Sequence, residues 1–206
     1  MKYNKDTSEK ILENAFEEFG ENGYNGARMQ SIADRAGINK ALLHYYYRSK
    51  DALFEIVMKK AFQIMVPKLM KTFNSDDSVC ESIEKFVEIY IETIMKHPQI
   101  PGFVIHEISN KPDRLVRLIK STEINFNLLK QKIQKEMDEG KLVQMAPEQL
   151  IVNVLALCVF PFMAKPLVTG LLLDGDKKAY KKLIEDRKKE VASFIIRSIK
   201  IEEPKS

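Results

Sequence analysis

The stretch Met29–Lys50, MQSIADRAGINKALLHYYYRSK, constrains this chain more than any other. Met29, Ile32, Ala33 and Ala36 recur at helical spacing and define one apolar face. Gly37 follows, a residue that enters the left-handed region needed to leave a helix sharply. Ile38 plugs the turn, and Asn39 is a strong N-cap for a second helix over about 40–46. Ala33, one turn before Gly37, is small enough to let two helices cross closely. Two short helices joined in this way make a helix-turn-helix unit, whose second helix enters the DNA major groove.

The composition of that second helix supports the same use. Leu42 or Leu43 can face inward, but Lys40, His44, Tyr45 and Tyr46 cannot all be buried together. Lys and phenol groups bond phosphate oxygens, while aromatic rings lie against sugars and thymine methyls. A Tyr-rich ligand pocket, or ordinary packing, is the competing reading. Lys50 weighs against it. Ser49 is a plausible cap for the next helix, and a cation at that helix start costs roughly 0.3–1 kcal/mol. A phosphate beside Lys50, in reach of the helix-end amides, would offset the cost.

The run GINKALLHYYYRSK, Gly37–Lys50, resembles the recognition-helix signature of the TetR family of one-component transcriptional regulators. The resemblance extends upstream through Ile11–Phe19 and Gly23–Tyr24 and covers the chain to about Met65. It implies an all-α fold: a three-helix helix-turn-helix domain over 1–48, then a helical ligand-binding and dimerisation domain over 49–206. It also implies a homodimer that binds a palindromic double-stranded DNA operator and leaves it when a small molecule binds. The residues assigned to DNA contact are Arg28, Gln30, Lys40, Ala41, Leu42, His44, Tyr45, Tyr46 and Lys50. Two positions depart from the family pattern. Ala27–Arg28 stands where Thr or Ser usually caps a helix, and the usual Tyr-His pair is inverted to His44-Tyr45.

Charge is gathered where this reading needs it. The whole chain carries a formal +4. Between Gly26 and Lys60 seven basic residues (Arg28, Arg35, Lys40, Arg48, Lys50, Lys59, Lys60) face three acidic ones (Asp34, Asp51, Glu55). The first helix is acidic on the side expected to face solvent, with Glu13, Glu17, Glu18 and Glu21. Cys80 and Cys158 lie far apart and form no disulfide framework or metal motif, which suits a reducing cytoplasm. Met1–Lys10 has no apolar core of a signal peptide, and Leu150–Leu173 is too interrupted by Asn153, Pro161, Lys165, Pro166 and Gly170 to span a membrane. That segment reads as a buried helix pair. No catalytic motif stands out: His106-Glu107 is not HExxH because Asn110 occupies the second ligand position, so neither enzyme, metal nor cofactor is expected.

The rest of the chain reads as helices. Met1–Asp6 is an arm whose Lys2 and Lys5 could reach DNA, Thr7 or Ser8 caps the first helix, and Gly20, Gly23 and Gly26 break it. A fourth helix over Ser49–Met65 stops before Pro67. After a polar loop at Asn74–Asp77, helices are expected over Val79–Lys96, Asp113–Glu139, Pro147 to Pro161, and about Lys177 to Ile201, with a short Pro-bracketed element over Gly102–Asn110. The last two long helices have apolar faces broad enough for a four-helix interface between two subunits. A largely apolar effector would sit among Phe62, Met65, Phe86, Tyr90, Phe103, His106, Phe126, Leu129, Ile133 and Phe162, although residues at this spacing are also ordinary core. Two alternatives stay open: an all-helical small-molecule or protein-binding module without DNA binding, and a transcriptional activator.

Overall fold

The computed structural model describes residues 5–73, 76–122 and 124–201; Lys2 of the proposed arm and Asn74 of the polar loop lie outside them. Among the described residues there are eleven α-helices and no strand, only an isolated antiparallel bridge between Leu142 and Lys200. The chain forms two compact units, Met1–Met65 with His97–Thr122, and Val66–Lys96 with Glu123–Ser206. Residue 48, the expected end of the DNA-binding region, falls inside the first unit.

The first unit holds α1 (Lys5–Gly26), α2 (Met29–Ala36), α3 (Lys40–Tyr46), the first part of α4 (Lys50–Phe73), α6 (Ile100–Asn110) and α7 (Pro112–Lys120). The expected stripe of α1 points inward: Ile11, Ala15, Phe16 and Phe19 are buried, and Leu12 is half-buried. Ile32, Ala33 and Ala36 of α2, Leu43 of α3, and Leu53, Phe54 and Val57 of α4 complete this core. Each large apolar side chain so buried contributes about 1.5–3 kcal/mol.

Three local expectations for α1 need correction. The helix begins before Thr7 and Ser8, so neither caps it; the Ser8 hydroxyl instead pairs with the Tyr47 hydroxyl at 2.9 Å. Gly20 is not a turn residue. It lies inside α1, where a Cβ would come within 2.4 Å of Gln99 Cβ, so it is the gap that admits the start of α6. The helix breaks only at Gly23, whose φ of 63° suits glycine. Glu18 does not face solvent either; it is 3% exposed.

Two expected boundaries also shift. The fourth helix does not stop before Pro67 but runs to Phe73, with Pro67 exposed inside it and the division between units at Met65–Val66. The expected long helix Asp113–Glu139 is two helices, α7 and α8 (Phe126–Asp138). Ser121 and Thr122 turn their hydroxyls back to the carbonyls of Leu118 (2.7 Å) and Ile119 (2.6 Å), ending α7. Asn125 then caps α8, its Oδ1 accepting from the N–H groups of Asn127 and Leu128 at 3.1 Å each.

The second unit is built on α5 (Val79–Lys96), whose Ile83, Phe86, Val87, Tyr90, Ile91 and Ile94 are all buried. Around it lie α8, α9 (Pro147–Met163), α10 (Lys165–Leu167) with a π-helical turn (Val168–Leu172), and α11 (Lys177–Ile199). Pro147 starts α9, and Gly140 (φ 71°) follows the end of α8, as the sequence led us to expect. Pro161 is accommodated inside α9 rather than ending it. It has no N–H for the Leu157 carbonyl one turn back, and Arg187 Nη2 of α11 donates to that oxygen at 2.6 Å. Two turns away on α11, the Tyr180 hydroxyl donates to the Pro161 carbonyl at 3.1 Å. The segment Leu150–Leu173 is not a buried pair: Leu171 and Leu172 are 75% and 73% exposed, and Val152, Phe160, Met163 and Leu167 are exposed as well. No single helix among the described residues is long and apolar enough to cross a membrane.

Arg187→Met should therefore lower the free energy of denaturant unfolding by about 1–3 kcal/mol, because the Leu157 carbonyl loses its donor. In a Pro161→Ala background the helix supplies its own N–H there, and the same change should cost clearly less. An equal loss in both backgrounds would contradict the pairing.

Candidate nucleic-acid interface

The head is assembled from short-range hydrogen bonds laid on the first unit's core. Gly37 exits α2 at φ 65° and ψ 34°, and its N–H and that of Ile38 return to the carbonyls of Asp34 (3.1 Å) and Ala33 (3.0 Å). Asn39 Oδ1 accepts from the Leu42 N–H at 2.7 Å and starts α3. Ser49 Oγ accepts from the Ala52 N–H at 3.1 Å and starts α4. Ala27–Arg28 leaves α2 without a side-chain cap, and Glu18 Oε1 of α1 accepts the Arg28 N–H at 3.2 Å just before the helix. Its other oxygen lies 3.2 Å from Arg35 Nε, so a buried carboxylate holds the start of α2 and pairs with its end.

Two side chains pin α3. Leu43 is fully buried, and Tyr47 just past the helix is 7% exposed with its hydroxyl on Ser8. Of the three successive tyrosines, then, the last is core. The rest of α3 faces outward: Lys40, Ala41 and His44 are exposed, Leu42 is 37% and Tyr45 58% exposed, and Tyr46 is half-buried with its ring edge-on to Tyr45 at 5.8 Å. His44 Nδ1 lies 3.4 Å from the Arg48 carbonyl. At the start of α2, Arg28 and Gln30 are exposed, and Gln30 Nε2 donates to Asp34 Oδ1 at 2.8 Å. All nine sequence-derived positions thus fall in one unit, seven of them exposed.

The cations divide into two kinds. Arg35 is neutralised by Glu17, Glu18 and Glu21, and the Glu21 carboxylate holds its guanidinium above the usual range. Arg28, Lys40, Arg48 and Lys50 enter no ion pair among the described residues. A surface that leaves these cations unpaired beside α3 is electrostatically ready for phosphate.

Lys50 is held. Its Nζ lies 4.6 Å from the centre of the Tyr24 ring and 3.4 Å from the Asn25 carbonyl, and burial lowers its pKa. Tyr24, which the sequence marks only as part of the upstream resemblance, is the hub of this corner. Its ring stacks on His106 of α6 (4.4 Å) and meets Phe54 edge-on (5.0 Å). Its hydroxyl donates to Asp51 Oδ1 at 2.9 Å, and Lys111 Nζ reaches the same oxygen at 2.7 Å. Burial and that carboxylate push the phenol up to about 12, while Lys111 and then Tyr24 hold Asp51 below its usual value. Next to His106, Glu107 is 1% exposed and takes both arms of Arg114, at 2.7 and 2.5 Å.

The ten residues proposed for an effector divide between the two units. Phe62, Met65, Phe103 and His106 lie in the first unit, where Phe103 and His106 belong to the aromatic cluster. Phe86, Tyr90, Phe126, Leu129, Ile133 and Phe162 lie in the second. Phe86, Tyr90 and Ile133 are core there, and Phe126 is 43% exposed. In the first unit an open concavity of about 550 Å³ is lined by Glu18, Asn22, Gly26, Arg28, Ser31, Asp34 and Arg35, a charged lining unsuited to an apolar guest.

This head is a helix-turn-helix DNA-binding module. Residues 11–57 match the family model described as bacterial regulatory proteins, tetR family. The HTH-type transcriptional regulator RutR of Escherichia coli K12 is 27% identical over 147 residues, 71% of this chain and 69% of RutR. The negative transcriptional regulator IcaR of the biofilm operon icaADBC in Staphylococcus aureus is 29% identical over 136 residues, 65% of this chain and 71% of IcaR. Two solved structures share the fold: PfmR of Thermus thermophilus (TM-score 0.72, 17% identity, 96% of this chain and 98% of that one) and the hemolysin II regulator HlyIIR (TM-score 0.66, 23% identity, 96% and 99%). Residues 11–57 are thus similar to the tetR-family DNA-binding domain, and the chain is a DNA-binding transcriptional regulator.

The stack on Tyr24 predicts a pH effect. Burial holds His106 below its usual 6.5, and Asn110 Nδ2 donates to its Nδ1 at 3.2 Å, which only the neutral ring accepts. Tyr24, Asp51, Glu107, Lys111 and Arg114 also face the ring. Because the folded form prefers neutral imidazole, the stabilisation is complete above 6.5 and is lost as pH falls through 6.5 toward the depressed value. The melting temperature should fall more for the wild type than for His106→Asn between pH of about 7 and 5.5. Parallel curves would contradict it.

Proposed function

We propose that this chain is a homodimeric repressor that holds a palindromic operator through α3 and releases it when a largely apolar small molecule binds. The observation that carries the reading is the exposure of Lys40, His44 and Tyr45 on α3, with Arg28 and Lys50 of the same unit in no ion pair among the described residues. In this arrangement Arg28 and Lys50 bind phosphate. Ala41 and Leu42 are short enough to let the helix lie deep, and Tyr45 is best placed for a base edge, with Gln30, Lys40, His44 and Tyr46 around it. IcaR, named a negative regulator, supports repression.

Dimerisation rests on the exposed apolar side chains of the second unit, Val152, Phe160, Met163, Leu167, Leu171 and Leu172, together with Phe194 of α11 (59% exposed). Large apolar side chains exposed on neighbouring helices are the kind of surface a partner covers. Pairing also sets two recognition helices about 34–36 Å apart, on successive major grooves. Residues 1–48 act as the reading head and 49–206 as the effector and dimer region, with the sequence-derived lining residues as its starting candidates. A coupling of about 1–3 kcal/mol between effector and DNA is enough for release. The protein works in the cytoplasm.

Two measurements test this. In duplex titrations over a range of salt, Lys50→Ala should weaken binding to all sequences and reduce the salt slope by about one; an unchanged slope would remove Lys50 from the phosphate contacts. Phe194→Glu should convert the dimer to monomer in sedimentation and weaken operator binding at least tenfold. A dimer that survives the change would move the interface elsewhere.

A further inference from the structure

We propose that Tyr24 is the positioning residue for Lys50, and that His106 of α6, stacked on Tyr24, sets where that lysine stands. The inference rests on the reading of Lys50 as a phosphate contact, and adds how the contact is held and what can loosen it.

Lys50 is the first residue of α4, where the positive end of the helix repels an ammonium group. Left to itself, a flexible four-carbon side chain there would swing into solvent and lose entropy on meeting a phosphate. Two groups hold it in advance: the Tyr24 ring, 4.6 Å from Nζ, and the Asn25 carbonyl at 3.4 Å. Both lie around the Gly23 kink at the end of α1, so the lysine's place depends on where that kink is pinned.

The kink is pinned from α6 and α4 rather than from α3. His106 stacks on the Tyr24 ring at 4.4 Å and 22°, and Phe54 closes its edge at 5.0 Å. Asp51, the residue after Lys50, takes both the Tyr24 hydroxyl and the Lys111 ammonium. The ring therefore has an α6 residue against it and the phosphate-seeking lysine over it, while the hydroxyl is tied to the neighbour of that same lysine. A shift or reorientation of α6 at His106 moves the ring, and the ring moves Nζ. No residue of α6 needs to touch DNA for the helix to affect the charge that does.

The test reads the lysine directly. In the free protein, the ε-methylene protons of Lys50 should resonate upfield of those of other lysines, shifted by the Tyr24 ring. Tyr24→Leu should abolish the shift, Tyr24→Phe should keep most of it, and His106→Leu should change it. The same variants are then titrated against a mixed-sequence duplex about three helical turns long. Tyr24→Leu should reduce the salt slope nearly as much as Lys50→Ala, and the double variant should lose no more than either alone. A protein merely loosened by the substitution would melt earlier while keeping its slope. Should Tyr24→Leu fail to fold, Tyr24→Phe and His106→Leu carry the comparison. A Lys50 resonance indifferent to both Tyr24→Leu and His106→Leu, or slope losses that simply add, would overturn the inference while leaving Lys50→Ala as evidence for DNA contact. A wild type without salt-dependent duplex binding would overturn the functional reading and this inference together.

Discussion

Phe54 has no exposed surface, and four aromatic rings surround it: Phe19 and Tyr24 of α1 at 5.0 Å each, Phe103 and His106 of α6 at 5.8 and 5.2 Å. Edge-on contacts of this kind are each worth about 0.5–1.5 kcal/mol beyond the area they bury. Together they fix the beginning of α4 against two other helices. Lys50 stands one turn before Phe54, and α3 ends only a few residues earlier, so the pose of the reading helix is inherited from this cluster. Gly20 makes the arrangement sterically possible by letting the start of α6 approach α1 where any Cβ would collide with Gln99.

How much of this was legible follows from the range of the forces. The turn between α2 and α3 could be read because Gly37, Asn39 and Ser49 act on amides within three or four residues, and the composition names the geometry. The inward and outward faces of α1 and α5 could be read from their period. Glu18 could not, because its bonding partners, Arg28 and Arg35, lie on another helix; the only hint was the absent cap at Ala27–Arg28. The role of Tyr24 could not be read either, because nothing near it in sequence announces His106 or Lys111. Apolar periodicity carried straight through residues 121–125, where three small polar side chains rebind the backbone and split one expected helix into two.

Prolines mark the other places where local rules met tertiary structure. Pro67 sits exposed within α4, next to the division between the two units, and Pro161 is absorbed into α9. In the second case α11 supplies the missing donors: Arg187 serves the carbonyl that the proline leaves unpaired, and Tyr180 the proline's own. The same pair of helices carries exposed apolar side chains, among them Val152 and Phe160 of α9 and Phe194 of α11. The sequence signal for buried and exposed positions is the same run of Leu, Val and Phe, which is why burial was overestimated there.

One short helix, carried twice by a symmetric pair, is the part of the molecule proposed to read duplex DNA. Selection of bound fragments from a pool of random duplexes by the purified wild-type protein tests this most directly. The expected result is enrichment of an inverted repeat whose half-site centres are separated by about one helical turn or a multiple of it. Recovery of a pool with no shared sequence, or of a single unrepeated site, would contradict it.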